Sequence, residues 1–141
     1  MVTQTAKLAG RVIATGLKFP EGPVVLADGS VILVEIARGT LTRVQPDGRT
    51  SVVAELGGGP NGAAIGPDGK FYVCNNGGFN WTTESDGLFR PHGRADAYIG
   101  GRIQRVDPET GRFEDLYTEC DGVPPKGPND TSLAGKGGFW F

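Results

Sequence analysis

The chain has 141 residues, enough for one ordinary domain with a modest core. Glycine supplies 24 of them and proline 10, yet apolar residues still make up 38%, which excludes a disordered polar chain and makes a repeat the first thing to look for. A formal charge of −2, from 14 basic and 16 acidic side chains, argues against a nucleic-acid partner, because neutralising phosphates needs a basic stripe.

The N-terminal stretch Met1 to Ala9 carries Lys7 and no apolar run of signal-peptide length, so a cytoplasmic location is expected. No membrane partner is expected either: the apolar run Val31 to Val34 is far short of the ~20 residues a membrane helix needs.

Three segments align without gaps: Pro20 to Leu33, Pro60 to Val73 and Pro128 to Phe141. Each opens with proline and an oxygen-bearing residue, Glu21, Asn61 or Asn129. A short apolar stretch follows, then a turn with glycine in the tenth place (Gly29, Gly69, Gly137), then a second apolar run. In the first unit Val24 to Leu26 predicts a short strand and Asp28-Gly29 a tight hairpin turn, where glycine accepts φ > 0 without steric cost. Val31 to Ile36 predicts the return strand, apolar apart from Glu35 and therefore covered on both faces. Ala63 to Ile65, Asp68-Gly69 and Phe71 to Cys74 repeat the pattern.

Third strands follow at Leu41 to Val44 and Ile103 to Val106, and fourth strands at Thr50 to Leu56 and Phe113 to Thr118. Each unit is thus expected to be four antiparallel strands in meander order. Four-stranded units recurring every ~40–50 residues are the mark of propeller blades. The fold expected is all-β: a partial β-propeller of two four-stranded blades plus the start of a third. Blade 1 spans about 17–56, blade 2 about 57–120 and the start of blade 3 about 121–141. Blade 2 carries an insertion at 76–100 holding Phe79, Trp81, Phe89 and Tyr98, aromatic enough to cover a pocket or pack on a neighbour as a lid would. The third unit stops in its second strand at Phe139-Trp140-Phe141, where an open apolar edge is expected to need the rest of a longer chain.

Glu21, Asn61 and Asn129 fall in one column of the repeat. In a propeller that column lies by the central channel, so the three converge on one axis. A carboxylate and two amide carbonyls are hard oxygen donors that suit a hard divalent cation such as calcium. Pro-Glu-Gly and Pro-Asn-Gly serve equally well as turns whose side chains bond local backbone.

The runs Phe19-Pro20-Glu21-Gly22-Pro23, Pro60-Asn61-Gly62 with Pro67-Asp68-Gly69-Lys70-Phe71-Tyr72-Val73, and Gly127-Pro128-Asn129-Asp130 before Gly137-Gly138-Phe139-Trp140-Phe141 resemble the gluconolactonase, senescence-marker-protein and luciferin-regenerating-enzyme family of six-bladed propellers. The resemblance covers Leu17 to the end. It implies hydrolysis of a small-molecule lactone assisted by one divalent metal, calcium or zinc. It places the metal glutamate at Glu21, a metal asparagine at Asn129 and a substrate-side residue at Asn61. The remaining ligands, an asparagine and an aspartate that also serves as general base, are implied to lie beyond residue 141, so no catalytic base is assigned here and the chain alone is expected to be inactive. Some members hold a sugar lactone with an arginine two places before the blade-three asparagine; this chain has Gly127 there, a departure from sugar specificity.

No Gly-x-Ser-x-Gly elbow, P-loop or dinucleotide fingerprint is present, and His92 is the only histidine. Cys74 and Cys120 match no zinc spacing, and Cys74 in its apolar strand reads as a buried free thiol. The alternative to a lactonase is a non-catalytic propeller serving as a ligand- or protein-binding platform, with Asn61 and Asn129 shaping turns.

Overall fold

Four Asp-Gly pairs reverse the chain in the same way. At Asp28-Gly29 the Leu26 N–H donates to Ser30 O at 2.8 Å and the Gly29 N–H donates to Leu26 O at 2.9 Å. The same pair of bonds recurs at Asp47-Gly48, Asp68-Gly69 and Asp86-Gly87. Each glycine takes a left-handed φ between 72° and 88°. Each aspartate accepts the backbone N–H two residues on, from Ser30, Arg49, Lys70 and Leu88, at 2.9–3.1 Å. The loops therefore hold three residues, a turn closed by a left-handed glycine, and not the two that an Asp-Gly hairpin most simply suggests.

These bonds also set an acid limit. Bonds from the Ser30 hydroxyl and N–H, with Arg43 at 2.5 Å, hold the Asp28 carboxyl below its ordinary 3.8. The Arg49 N–H and guanidinium lower Asp47, and the Lys70 ammonium at 2.7 Å lowers Asp107. A carboxyl whose folded pKa is depressed adds stability above its unfolded pKa and loses it as pH falls through the folded one. Thermal unfolding of this protein is thus expected at steadily lower temperature as pH drops below 3.8. A midpoint that holds level from about pH 5 to pH 2 would contradict this role for the turn carboxylates.

The computed structural model describes residues 9–134 and 137–141. Residues 1–8, on which the expectation of no signal sequence rests, and residues 135–136 of the third repeat unit lie outside them. The first repeat forms one antiparallel sheet in the order β1 (Pro20–Val25), β2 (Val31–Glu35), β3 (Thr40–Val44), β4 (Thr50–Glu55). The second forms another from β5 (Pro60–Ile65), β6 (Phe71–Asn75), β9 (Arg102–Val106) and β10 (Phe113–Tyr117), adjacent in that order. Between β6 and β9 the expected insertion is a hairpin of its own, β7 (Phe79–Thr83) and β8 (Phe89–Arg94). A last hairpin pairs β11 (Ser132–Ala134) with β12 (Gly138–Trp140).

The two middle strands of each four-stranded sheet are buried on both faces, as the apolar runs of β2 and β6 require; β3 and β9 are equally buried although their residues alternate between apolar and polar. Ile32, Val34, Leu41, Ala54 and Leu56 from the first sheet meet Phe71, Val73 and Val106 from the second in one core. In the third unit Phe139 is half-buried, while Trp140 is 76% exposed, an open apolar edge of the kind expected there. The reason is pairing, since among the described residues β12 is bonded to β11 alone.

Glu35 is the polar exception in β2, and it is fully buried. Its Oε2 accepts the Lys18 N–H at 2.6 Å and lies 3.0 Å from Arg38 Nε, while its Oε1 accepts the Thr42 hydroxyl at 2.7 Å. The same place in the second repeat holds Asn75. Its Oδ1 accepts the N–H groups of Gly59 (2.9 Å) and Gly77 (3.0 Å), and its Nδ2 donates to Gly57 O (2.8 Å) and Gln104 Oε1 (3.0 Å). In both sheets the end of the second strand thereby captures the backbone leading into the first.

Because the strands alternate in direction, the starts of β1 and β5 share one end of the fold with the ends of β2 and β6, opposite the Asp28-Gly29 and Asp68-Gly69 loops. The β7–β8 hairpin leaves from Asn75 and returns to Arg102, so it stands at that end too.

Candidate active site

A β-bulge distorts each first strand where its polar residue sits. In β1 the register shifts between Glu21 and Val24; in β5 it shifts between Pro60 and Gly62, leaving Asn61 without an opposite partner. Bulges bend a strand and re-aim the extra side chain. The bend also brings the first strands together. A Cβ on Gly22 would lie 2.6 Å from Ala63 N and 3.1 Å from the Gly62 Cα, so the two backbones touch. A Cβ on Gly62 would in turn lie 2.9 Å from the Asp130 Cα, which brings the Asn129-Asp130 segment against the other side of β5.

The half-buried Asn61 donates its Nδ2 in a close hydrogen bond to Oδ1 of Asn129 across 68 residues of sequence. Two of the three residues singled out by the repeat are thus in contact. Glu21 is exposed on the neighbouring strand, one residue before the Gly22 contact, and no ion pair among the described residues engages its carboxylate.

The backbone before Glu21 is clamped by the insertion. Phe19 adopts φ 59°, a left-handed conformation that is strained for an aromatic residue. Its ring packs on Trp81 at 4.9 Å between centroids, and Trp81 stacks on Phe89 at 4.9 Å with only 14° between planes. Lys18 Nζ lies 5.6 Å from the Phe89 ring centre, adding a cation–π contact. The aromatics of the insertion therefore pack on the start of β1.

Cys74 is fully buried, and its thiol donates to Asp130 O at 3.4 Å. Burial, with the Asp130 charge close by, pushes its pKa up to about 12, so at neutral pH it is a neutral thiol and not a thiolate nucleophile. Cys120 is exposed. A thiol reagent applied to the native protein is expected to modify Cys120 at once and Cys74 only after denaturant is added; equal rates at both would show that the core around Cys74 is open. Asp130 itself, a carboxylate next to Asn129 that acts on Cys74 through its charge, stands in the Gly127–Asp130 run of the sequence, but the repeat assigns it no role because the other units place glycine in that column.

Among the described residues no three His, Cys, Asp or Glu side chains group as a ready metal site. What lies at this end is the carboxylate of Glu21 on one strand and the paired side-chain amides of Asn61 and Asn129 beside it. That donor chemistry fits a hard, oxygen-seeking cation and is foreign to soft or imidazole-bound metals.

The sequence profile of the SMP-30/Gluconolactonase/LRE-like region matches residues 19–141. The chain belongs to this family. No curated protein sequence matches it. Among solved structures it is similar to a gluconolactonase from Xanthomonas campestris, at 20% identity and a TM-score of 0.65 over 89% of this chain and 35% of that one. A structural-genomics structure assigned as a gluconolactonase by family is similar at 24% identity and a TM-score of 0.65, over 93% of this chain and 38% of that one. At these identities the likeness establishes the fold alone. The chain spans little more than a third of either structure.

Proposed function

We propose that this chain is the N-terminal part of a six-bladed propeller that hydrolyses lactones with the help of one divalent cation, calcium before zinc. The observation that carries the reading is the Asn61–Asn129 contact beside Gly22, which supports a single site shared by the three motif residues. Within it the two four-stranded sheets are blades 1 and 2, and β11–β12 opens blade 3.

Glu21 and Asn129 would hold the cation through one carboxylate and one amide oxygen. Asn61, already donating to Asn129 Oδ1, keeps that oxygen oriented and has its remaining amide hydrogen free for a substrate oxygen. When bound, the cation supplies Lewis acidity to the lactone carbonyl and to water. The Phe19–Trp81–Phe89 stack keeps the Glu21 backbone in place. The base that takes the proton from attacking water is expected from residues beyond 141, as are the further ligands. Calcium takes ~6–8 oxygens, so Glu21 and Asn129 alone leave this chain without turnover.

Lactone hydrolysis by the complete protein, with and without chelator, tests the reading. Turnover should vanish with chelator and return with calcium, and Glu21→Gln should weaken calcium binding by about tenfold or more, since ligand charge sets affinity in such sites. Turnover indifferent to chelator and to Glu21→Gln would favour a binding platform, in which the Asn61–Asn129 pair merely ties two strands together.

A further inference from the structure

A cleft close to Asn129 has no part in the chemistry above. It is an open groove of about 680 Å³, lined by Arg94, Tyr98 and Ile99 from the base of the insertion and by Val123, Pro124 and Lys126 from the segment that leads to Asn129. Its two walls are tied together. The Tyr98 hydroxyl donates to Lys126 O at 2.9 Å, and the Gly101 N–H donates to Pro125 O at 2.8 Å. A Cβ on Gly101 would lie 2.7 Å from Pro125 O, and one on Gly77 would meet the Tyr98 ring at 2.5 Å, so both glycines are needed for the walls to close to this distance.

The lining is amphipathic in a particular way. Ile99 is 83% exposed and Val123 61% exposed, a large apolar area for two neighbouring surfaces to leave in water. The Arg94 guanidinium lies over the Tyr98 ring at 4.9 Å, and neither Arg94 nor Lys126 forms an ion pair among the described residues. The Asp96 carboxylate, two residues from Arg94, accepts from Asn80 Nδ2 at 3.0 Å and pairs with neither cation. Two uncommitted cations beside an apolar floor complement an anion with an apolar body. The planar guanidinium, held over the ring, suits a carboxylate in particular.

We propose that this cleft binds a carboxylate carried on an apolar arm of the substrate, so that the lactones served by this site are acidic and apolar in place of polyhydroxylated. This rests on the lactonase reading. Lys126 stands three residues before Asn129, and a Cβ on Gly101, next to the cleft residue Gly100, would meet Pro128, so the cleft and the Asn61–Asn129 pair adjoin one stretch of chain. Gly127, between them, offers no side chain to hold sugar hydroxyls.

The test uses the complete protein and two measurements. In the first, calorimetry with 4-phenylbutyrate and with its neutral amide is run on wild type, Arg94→Gln and Lys126→Gln. The carboxylate should bind, the amide should bind at least about tenfold more weakly, and each variant should weaken carboxylate binding by roughly tenfold. Equal affinity for acid and amide, or variants that bind the acid like wild type, overturns the proposal. In the second, kcat/KM is compared for a γ-lactone bearing a carboxylate-ended alkyl arm and for its methyl ester. The acid should be preferred, and the preference should collapse in both variants; a preference for the ester in wild type counts against the proposal. Carboxylate binding that depends on both cations, with no lactone hydrolysed, supports the anion selectivity of the cleft and refutes the lactonase reading instead.

Discussion

Replacing Glu35 with alanine is expected to destabilise the fold by about 2–4 kcal/mol, from the cavity it leaves and the buried polar groups it strands, since the half-exposed Arg38 can return to water. The side chain is fully buried and makes three charge-assisted contacts at 2.6–3.0 Å, to the Lys18 N–H, the Thr42 hydroxyl and Arg38 Nε. Alanine leaves the buried Thr42 hydroxyl with only Thr40 as a partner and opens a cavity in β2. It also removes the acceptor of the Lys18 N–H, leaving that segment held by the backbone bonds from the Ile36 and Ala37 N–H groups to Phe19 O and Lys18 O. Glu35→Gln keeps an oxygen acceptor and the volume while removing the charge, so it should cost about half as much. Urea unfolding monitored by tryptophan fluorescence reads both values. A Glu35→Ala protein within about 0.5 kcal/mol of wild type would show that the carboxylate is dispensable.

Gly22→Ala is the second large effect, expected at about 3 kcal/mol or more, with a loss of contact between the two sheets. Two penalties add. The residue sits at φ 54°, where a non-glycine residue costs about 1 kcal/mol or more. The new Cβ would also lie 2.6 Å from Ala63 N and 3.1 Å from the Gly62 Cα, backbone atoms that no side-chain rotation can clear. The strain should be local to the first strands, so the variant should retain its β-sheet circular dichroism while losing cooperativity and thermal midpoint. Gly69→Ala is the control for the dihedral cost alone, because φ is 72° there and a Cβ would meet nothing within 4 Å. If the two substitutions cost the same, the close approach of β1 and β5 has no energetic weight.

The repeat made most of the sheets legible before any coordinates. A glycine in the tenth place of each unit needs a left-handed turn, and the apolar runs on either side need burial on two faces; β2, β6 and their turns follow from those two facts. The third strands were readable from their alternation, and the insertion from the longer gap between Pro60 and Pro128. What stayed hidden depends on contacts between repeats. Glu35 and Asn75 read as polar breaks at the ends of apolar strands, whereas they collect the backbone arriving from residues 18 and 59. The bulges at Glu21–Val24 and Pro60–Gly62 leave no mark in composition, because they arise from strand bending where first strands meet. At the site, the shared column foretold that Asn61 and Asn129 would be neighbours, since equivalent positions of stacked repeats face each other. The aromatic clamp on Phe19 was not foreseeable: it joins two segments about 60 residues apart and obeys no repeat.

The account stands on Glu21 and Asn129 serving one cation at the end where the first strands converge. Crystals of the complete protein soaked in calcium, with the ion located by anomalous scattering, test this directly. The expected result is one ion about 2.3–2.6 Å from a Glu21 carboxylate oxygen and from Asn129 Oδ1. An ion bound elsewhere, or bound at this end without Glu21 while Asn61 and Asn129 remain paired only with each other, would contradict it.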